Sequence, residues 1–292
     1  MTAKVPDSVH WVACDLQPSS HQGPTVRTPS IRAVTIDLWG TLFLDGPLAD
    51  DRYRRQRLLR IGEVLAARDI EVPPPSLVRG YEASRQHLAR VWRTRQDVPV
   101  ESHVTALLHA IDPTLPPRLG ASDLAALAWA YASPALDAPP SCDPGAGTAI
   151  KTLVARGIAV CLVSNTMRTP GAVLRQIIAN AGLLELFSSM VFSDECGIRK
   201  PDARIFHRAL RNVGVAPRHA VHVGDDARLD IEGAHLANLR AIRVGGSRAG
   251  DPSPDVSIQG LSELPAAVEW LEAVHAPDWR LHPILVDHAS RQ

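Results

Sequence analysis

From Ile31 onward the chain alternates short apolar runs with longer amphipathic stretches. "IRAVTID" (31–37), "IAVCLVSN" (158–165), "SSMVFSDE" (188–195), "HAVHVGDD" (219–226) and "RAIRVGG" (240–246) are brief and rich in β-branched residues, the signature of buried strands. Between them, "GTAIKTLVARG", "PGAVLRQIIANAG", "PDARIFHRALRNVG", "RLDIEGAHLANL" and the closing "LSELPAAVEWLEAV" have helical spacing. Several of these open near a proline or stop at a glycine. Strands and helices alternating at this interval predict an α/β fold with a doubly wound parallel sheet. In such a sheet the ligand sits outside the carboxyl ends of the strands.

One segment departs from that rhythm. Residues 47–141 show no strand pattern, and "DDRYRRQRLLRIGEVLAARDI", "PSLVRGYEASRQHLARVW", "VESHVTALLHAI" and "ASDLAALAWAYA" read as helices joined at proline-rich points. The expected organisation is therefore a discontinuous α/β core (31–46 and 142–275) carrying an all-helical insertion (47–141). Residues 1–30, rich in Pro, Ser, Thr and His, read as a loose extension, and 276–292 as a tail.

Composition narrows the function classes. Lysine plus arginine balances aspartate plus glutamate, 31 each, so no overall field draws in nucleic acid or an anionic membrane. No apolar run is long enough for a membrane span. The first residues lack the basic-then-apolar pattern of a secretory leader. The four cysteines, Cys14, Cys142, Cys161 and Cys196, are widely spaced and point to reduced thiols in a cytoplasmic protein, with Cys161 a small core residue.

The candidate chemistry lies at strand ends. The first run ends on Asp37, the second on Ser164-Asn165 and a later one on Gly224-Asp225-Asp226; Lys200 precedes a proline at the start of a helix. Singly, each has an ordinary explanation: helix caps, turn residues, a solvated lysine. Parallel strands, however, would gather all of them at one edge of the sheet.

With "DLWGT", "LVSN", "RKPD" and "GDDARLD" in that order, the chain resembles the haloacid dehalogenase superfamily, in its helical-cap branch. The resemblance implies that Asp37 is a nucleophile and that the helical insertion is a cap over the site. A carboxylate can split phosphate-ester hydrolysis into two steps through an aspartyl-phosphate. Because nucleophile and substrate are both anionic, a divalent cation must hold them together, and Mg²⁺ needs only one or two carboxylates. Asp37 and Asp225 can supply these. The resemblance adds the Trp39 carbonyl as a ligand and gives Asp226 and Asp230 water-mediated or orienting roles. Thr41, Ser164, Asn165 and Lys200 would contact the transferring group, Lys200 as a point charge. The expected partner is a small phosphorylated molecule.

Trp39 complicates that expectation. In family phosphatases the residue two past the nucleophile is usually a second Asp, acting as acid and base, and an indole N–H cannot titrate usefully. Three readings stay open: a phosphatase with another proton source, a 2-haloacid dehalogenase attacking carbon through Asp37, and a phosphotransferase or non-catalytic binding protein. In the helical insertion, Arg52, Arg54, Arg55, Arg57 and Arg60 form a solvated face or include one anion-gripping residue. His87, His103 and His109 are candidates for the missing acid, while Trp92 and Trp129 are expected in its core.

Overall fold

The structure, a computed structural model, describes residues 30–46 and 49–274. The expected extension and tail lie outside the described residues, Ser30 excepted. The first elements are β1 (Ala33–Ile36), β2 (Phe43–Leu44), α1 (Ala49–Ala66), α2 (Pro74–Arg93), α3 (Val100–Ile111), α4 (Leu115–Arg118), α5 (Ala121–Ala132), α6 (Pro134–Asp137) and β3 (Ser141–Cys142). They are followed by α7 (Ala146–Ala155), β4 (Ala159–Ser164), α8 (Gly171–Asn180), β5 (Ser189–Phe192), α9 (Ser193–Cys196), α10 (Ala203–Asn212) and β6 (Ala220–Gly224). A π-helical turn (Ala227–Glu232) leads into α11 (Gly233–Leu236), β7 (Arg240–Val244), β8 (Val256–Ile258) and α12 (Leu264–Ala273).

Six strands form a parallel sheet in the order β5-β4-β1-β6-β7-β8. The chain leaves central β1 to build one side with β4 and β5, then returns to build the other with β6, β7 and β8. This reversal of winding opens a crevice at the carboxyl end of β1. Side chains alternate across the sheet. Val34, Ile36, Val160, Leu162, Val221 and Val223 enter the larger core, whereas Ala33, Cys161 and Val163 on the opposite face share a second core with Ile205 and Phe206 of α10. Both faces are covered, which is why the strands read as nearly unbroken apolar runs.

Three details differ from the sequence reading, the first being the sixth strand, β8, whose three residues the sequence pattern did not assign. The run "SSMVFSDE" is strand only to Phe192, because Ser193 begins the one-turn helix α9. A short antiparallel ribbon, β2 with β3, went unread: two residues per strand leave no periodicity to detect. That ribbon brings the two ends of the helical segment together, and Asp143 N–H donates to the Leu42 carbonyl at 2.9 Å.

In α1 the buried positions are Ala49, Tyr53, Arg57, Ile61 and Leu65, a stripe at four-residue spacing that includes an arginine. The larger core runs without a break from the sheet into these helices, through Leu38, Leu42, Phe43, Ile61, Leu107 and Tyr131. Neither tryptophan expected in the helical core is there. Trp129 is 53% exposed on α5. Trp92 lies under the Arg199 guanidinium, 4.3 Å from its ring centre, and donates Nε1–H to Asp97 at 2.9 Å.

Asp97 fastens the helical segment to the core at a second place, far from the ribbon in sequence. Its buried carboxylate pairs with Arg199 and accepts from the Ser193 hydroxyl, while Gln96 and Ile198 form an antiparallel bridge. Two backbone bonds flank the pair, Asp97 N–H to Gly197 O at 3.2 Å and Arg199 N–H to Arg95 O at 3.0 Å. Removing one member of such a pair strands the other's charge in a buried site. Asp97→Ala should therefore lower unfolding free energy by about 3–5 kcal/mol in urea titration, with Asp97→Leu/Arg199→Met recovering part of it. A loss below about 1 kcal/mol for Asp97→Ala would mean the ion pair is not what secures this contact.

Candidate active site

At the carboxyl end of β1, Asp37 donates its backbone N–H to Val223 O at 2.9 Å, which sets it between β4 and β6. The Lys200 ammonium reaches it from the loop before α10, contacting Asp37 Oδ1 directly and Asp230 Oδ1 at 2.7 Å. Lys200, Asp37 and Asp230 are all buried. Asn165 holds the lysine's backbone: its Oδ1 accepts the Lys200 N–H at 2.8 Å and its Nδ2 donates to the Lys200 carbonyl at 3.2 Å. The Asn165 side chain thus places Lys200.

Asp230 is enclosed on every side. Besides Lys200, it receives His222 Nε2 at 2.9 Å and the Asp226 N–H, on Oδ2, at 3.0 Å. His222 Nδ1 lies 2.8 Å from the Thr35 hydroxyl. A neutral ring that accepts from Thr35 and donates to Asp230 satisfies all three groups. Asp226 faces elsewhere: its Oδ1 caps the π-helical turn, accepting the Arg228 and Leu229 N–H groups at 2.9 and 2.7 Å. Its part in the site is to begin the turn that carries Asp230 inward.

Asp225 lies under the turn that follows Asp37. Gly40 has φ +80°, and a Cβ there would fall 2.5 Å from Asp225 Oδ2. Glycine is required twice over, for the left-handed backbone and for this close approach. Gly224 is similarly tight, since a Cβ would come within 2.2 Å of Asp230 Cγ. Thr41 Oγ1 is 3.4 Å from Asp225 Oδ1. Ser164, the last residue of β4, is fully buried, and its hydroxyl has no partner. Trp39 packs half-buried against the core, and its Nε1–H also lacks a partner.

Asp37, Asp225 and Asp230 each place one oxygen within 4.8 Å of the others, so three carboxylates face a single ammonium. Burial pushes Asp37 up to about 7, with Lys200 opposing and Asp230 and Asp225 adding to the rise. Asp225 is raised by burial and then by Asp230. Burial acts the same way on Asp230, but Lys200 and His222 overcome it and hold that carboxyl well below the usual range. Burial likewise opposes charge on Lys200, yet Asp230 and Asp37 raise it. The cluster therefore carries surplus negative charge centred on Asp37 and Asp225. A divalent cation fits it, because Asp230 already accepts from Lys200, His222 and the Asp226 N–H while Asp37 and Asp225 have more oxygens to spare.

Of the residues expected from the sequence, Asp37, Lys200, Asp225 and Asp230 meet directly, with Thr41, Ser164 and Asn165 around them. His222 and Thr35 were missed. The available signal was a polar residue inside each of two apolar runs, "AVTID" and "HAVHVG", and the two are register partners on adjacent strands. Among the three histidines considered as acids, His109 is exposed, His87 half-buried and His103 buried on α3, where burial lowers it to about 4. At neutral pH His103 is therefore an uncharged imidazole, whose remaining N–H is a poor acid.

A family model for haloacid dehalogenase-like hydrolases matches residues 31–238. The chain belongs to that family. Among curated relatives, a phosphoserine phosphatase of Thermus thermophilus is 42% identical over 112 residues, 37% of this chain and 44% of that protein. The haloacid dehalogenase-like hydrolase domain-containing protein 3 of Bos taurus is 33% identical over 138 residues, 45% and 53% of the two chains. The chain spans about half the length of the curated relatives it matches. A solved 2-haloacid dehalogenase from Pseudomonas syringae covers 82% of this chain and 99% of its own at TM-score 0.59 and 23% identity, a likeness of fold. A phosphatase of the same superfamily from Thermococcus onnurineus gives 0.53 and 22% over 82% and 98%.

The raised Asp37 has a signed consequence. Between pH 4 and 7 the folded state binds its proton more tightly than the unfolded chain, so this group makes stability fall as pH rises. In EDTA, melting temperature should decline across that window, and Asp37→Asn should flatten the decline and raise the melting point near pH 7.5 by roughly 2–6 °C. Added Mg²⁺ should stabilise the parent protein and not the variant. A parent profile rising through the window would contradict the charge balance described.

Proposed function

We propose that this protein is a Mg²⁺-dependent phosphatase of small phosphorylated metabolites, using Asp37 as nucleophile, with the helices between β2 and β3 as a cap over the site. The observation that carries the reading is the pairing of Asp37 with an anion-rich neighbour, Asp225, and a buried cation, Lys200, at the crevice of the sheet. The phosphatase names among its relatives agree with it.

Lys200 occupies Asp37 Oδ1, which leaves Oδ2 for attack on phosphorus. As that bond forms, the ester oxygen leaves; water then attacks phosphorus and restores the carboxylate. Lys200, spanning Asp37 and Asp230, stays charged throughout and faces the negative charge that builds on the phosphoryl oxygens. The unpartnered Ser164 hydroxyl is a donor for one of those oxygens. Mg²⁺, held by Asp37, Asp225 and the Trp39 carbonyl, would neutralise phosphoryl charge and relieve the repulsion between nucleophile and substrate. Trp39 cannot protonate the departing oxygen, so that proton comes from solvent, and the enzyme should favour esters with good leaving groups.

The tryptophan at that position also favours a second reading, a 2-haloacid dehalogenase. In that chemistry Asp37 would attack carbon and no cation would be needed, which leaves the surplus charge at Asp225 without a purpose. Phosphate release from a panel of small esters, with Mg²⁺ and with EDTA, beside halide release from chloroacetate, separates the two. Metal-dependent phosphate release is expected, and Asp37→Asn should lower kcat by roughly 10⁴-fold or more with an unchanged far-UV spectrum. Halide release insensitive to EDTA would replace this reading with the dehalogenase.

A further inference from the structure

Where the helical segment meets the loop after Ser164, several strong donors are buried with too few acceptors. Arg57 of α1 is 2% exposed, yet its partners are neutral: Nε donates to the Tyr131 carbonyl at 2.9 Å and Nη2 to Thr169 Oγ1 at 3.3 Å. Its guanidinium also lies 5.5 Å from the centre of the Tyr131 ring. Arg168, one residue before Thr169 on the same loop, has a buried Nε with no partner and sits 5.2 Å from the Tyr81 ring centre. Neither arginine is in an ion pair with a carboxylate among the described residues. Tyr131 is fully buried with an unpartnered hydroxyl; Ser84 lies near it but gives its own proton to the His103 carbonyl at 3.0 Å. His103, 5.8 Å from Tyr131, has both ring nitrogens unpartnered.

Burying the Arg57 guanidinium, the Arg168 Nε and a phenol hydroxyl without an anion is costly, and the neutral acceptors and ring faces offset only part of that cost. The nearest carboxylate to His103, Asp97, is already bound by Arg199. Arg168 and Thr169 follow Asn165, the residue that positions Lys200, by three and four places on the same loop, and Arg57 is bonded to Thr169.

We infer that Arg57, Arg168 and the Tyr131 hydroxyl bind a carboxylate on the substrate, making this a phosphatase of phosphorylated carboxylic acids. The inference rests on the phosphatase reading above and adds its substrate class. A carboxylate suits the donors: it is planar, compact and able to accept from a guanidinium through both oxygens. His103, neutral at working pH, closes the cluster without adding charge.

The test compares phosphoglycolate with ethyl phosphate, which carries a methyl group in place of the carboxylate, using the full chain with Mg²⁺. The parent should prefer phosphoglycolate by roughly 10–100-fold in kcat/KM, mainly through KM. In Arg168→Gln and Tyr131→Phe, which alter a half-buried residue and a single hydroxyl, that ratio should collapse toward one. A ratio near one in the parent, or one unchanged in both variants, overturns the inference. Preference for the bisphosphate of ethylene glycol over phosphoglycolate also overturns it, because the cluster would then be reading a phosphate. Calorimetric binding of phosphoglycolate and ethyl phosphate to Asp37→Asn, with and without Arg168→Gln, reads the cluster without turnover. If no ester is hydrolysed, the phosphatase reading fails, and this binding difference alone decides whether the cluster recognises a carboxylate.

Discussion

A lysine ammonium buried between two aspartates is the constraint around which the site is organised. Lys200 is 3% exposed, and a charge so placed persists only when opposite charge and hydrogen bonds surround it. Asp230 is the larger counter-charge and Asp37 the other, and Asp230 is itself held by His222 and the Asp226 N–H. Asn165 holds the lysine's backbone, His222 orients Asp230, Thr35 orients His222, and the capped turn at Asp226 brings Asp230 into line. These residues come from β1, β4, β6 and the loop before α10, so the charge is secured only when the sheet is complete.

That arrangement divides labour among the acids. Asp230 is a fixed counter-charge, low in proton affinity. Asp37 and Asp225 keep free oxygens and are raised by burial, a state that a cation would relieve. Two glycines, Gly40 and Gly224, allow the carboxylates to lie against the backbone, and any side chain at either place would push them apart.

The helical segment is tied in two ways, by the β2–β3 ribbon at its neck and by Asp97 on Arg199 beside Lys200. The second tie joins the connection between α2 and α3 to the residue next to the site's lysine. With the core running continuously into α1 and α5, the helices and the sheet form one packed body whose junction carries Arg57, Arg168 and Tyr131.

Local pattern alone determined much of this protein. Apolar runs and their spacing specified the parallel α/β sheet and the helical insertion, because burial on both faces leaves a strong periodic trace. Strand-end residues in order pointed to Asp37, Ser164, Lys200 and Asp225, since parallel strands must deliver their ends to one edge. Tertiary structure decided what those residues do with each other. Asn165 serves the lysine's backbone, Asp226 a helix start and Asp230 the lysine's charge, and no spacing along the chain encodes such pairings. The roles of His222, Asp97 and Arg199 were invisible for the same reason: their partners lie on other elements, 96 or more positions away for the Ser193–Asp97 and Arg199–Asp97 contacts. Electrostatic partnership depends on distance in space and on burial, and only the folded chain sets both.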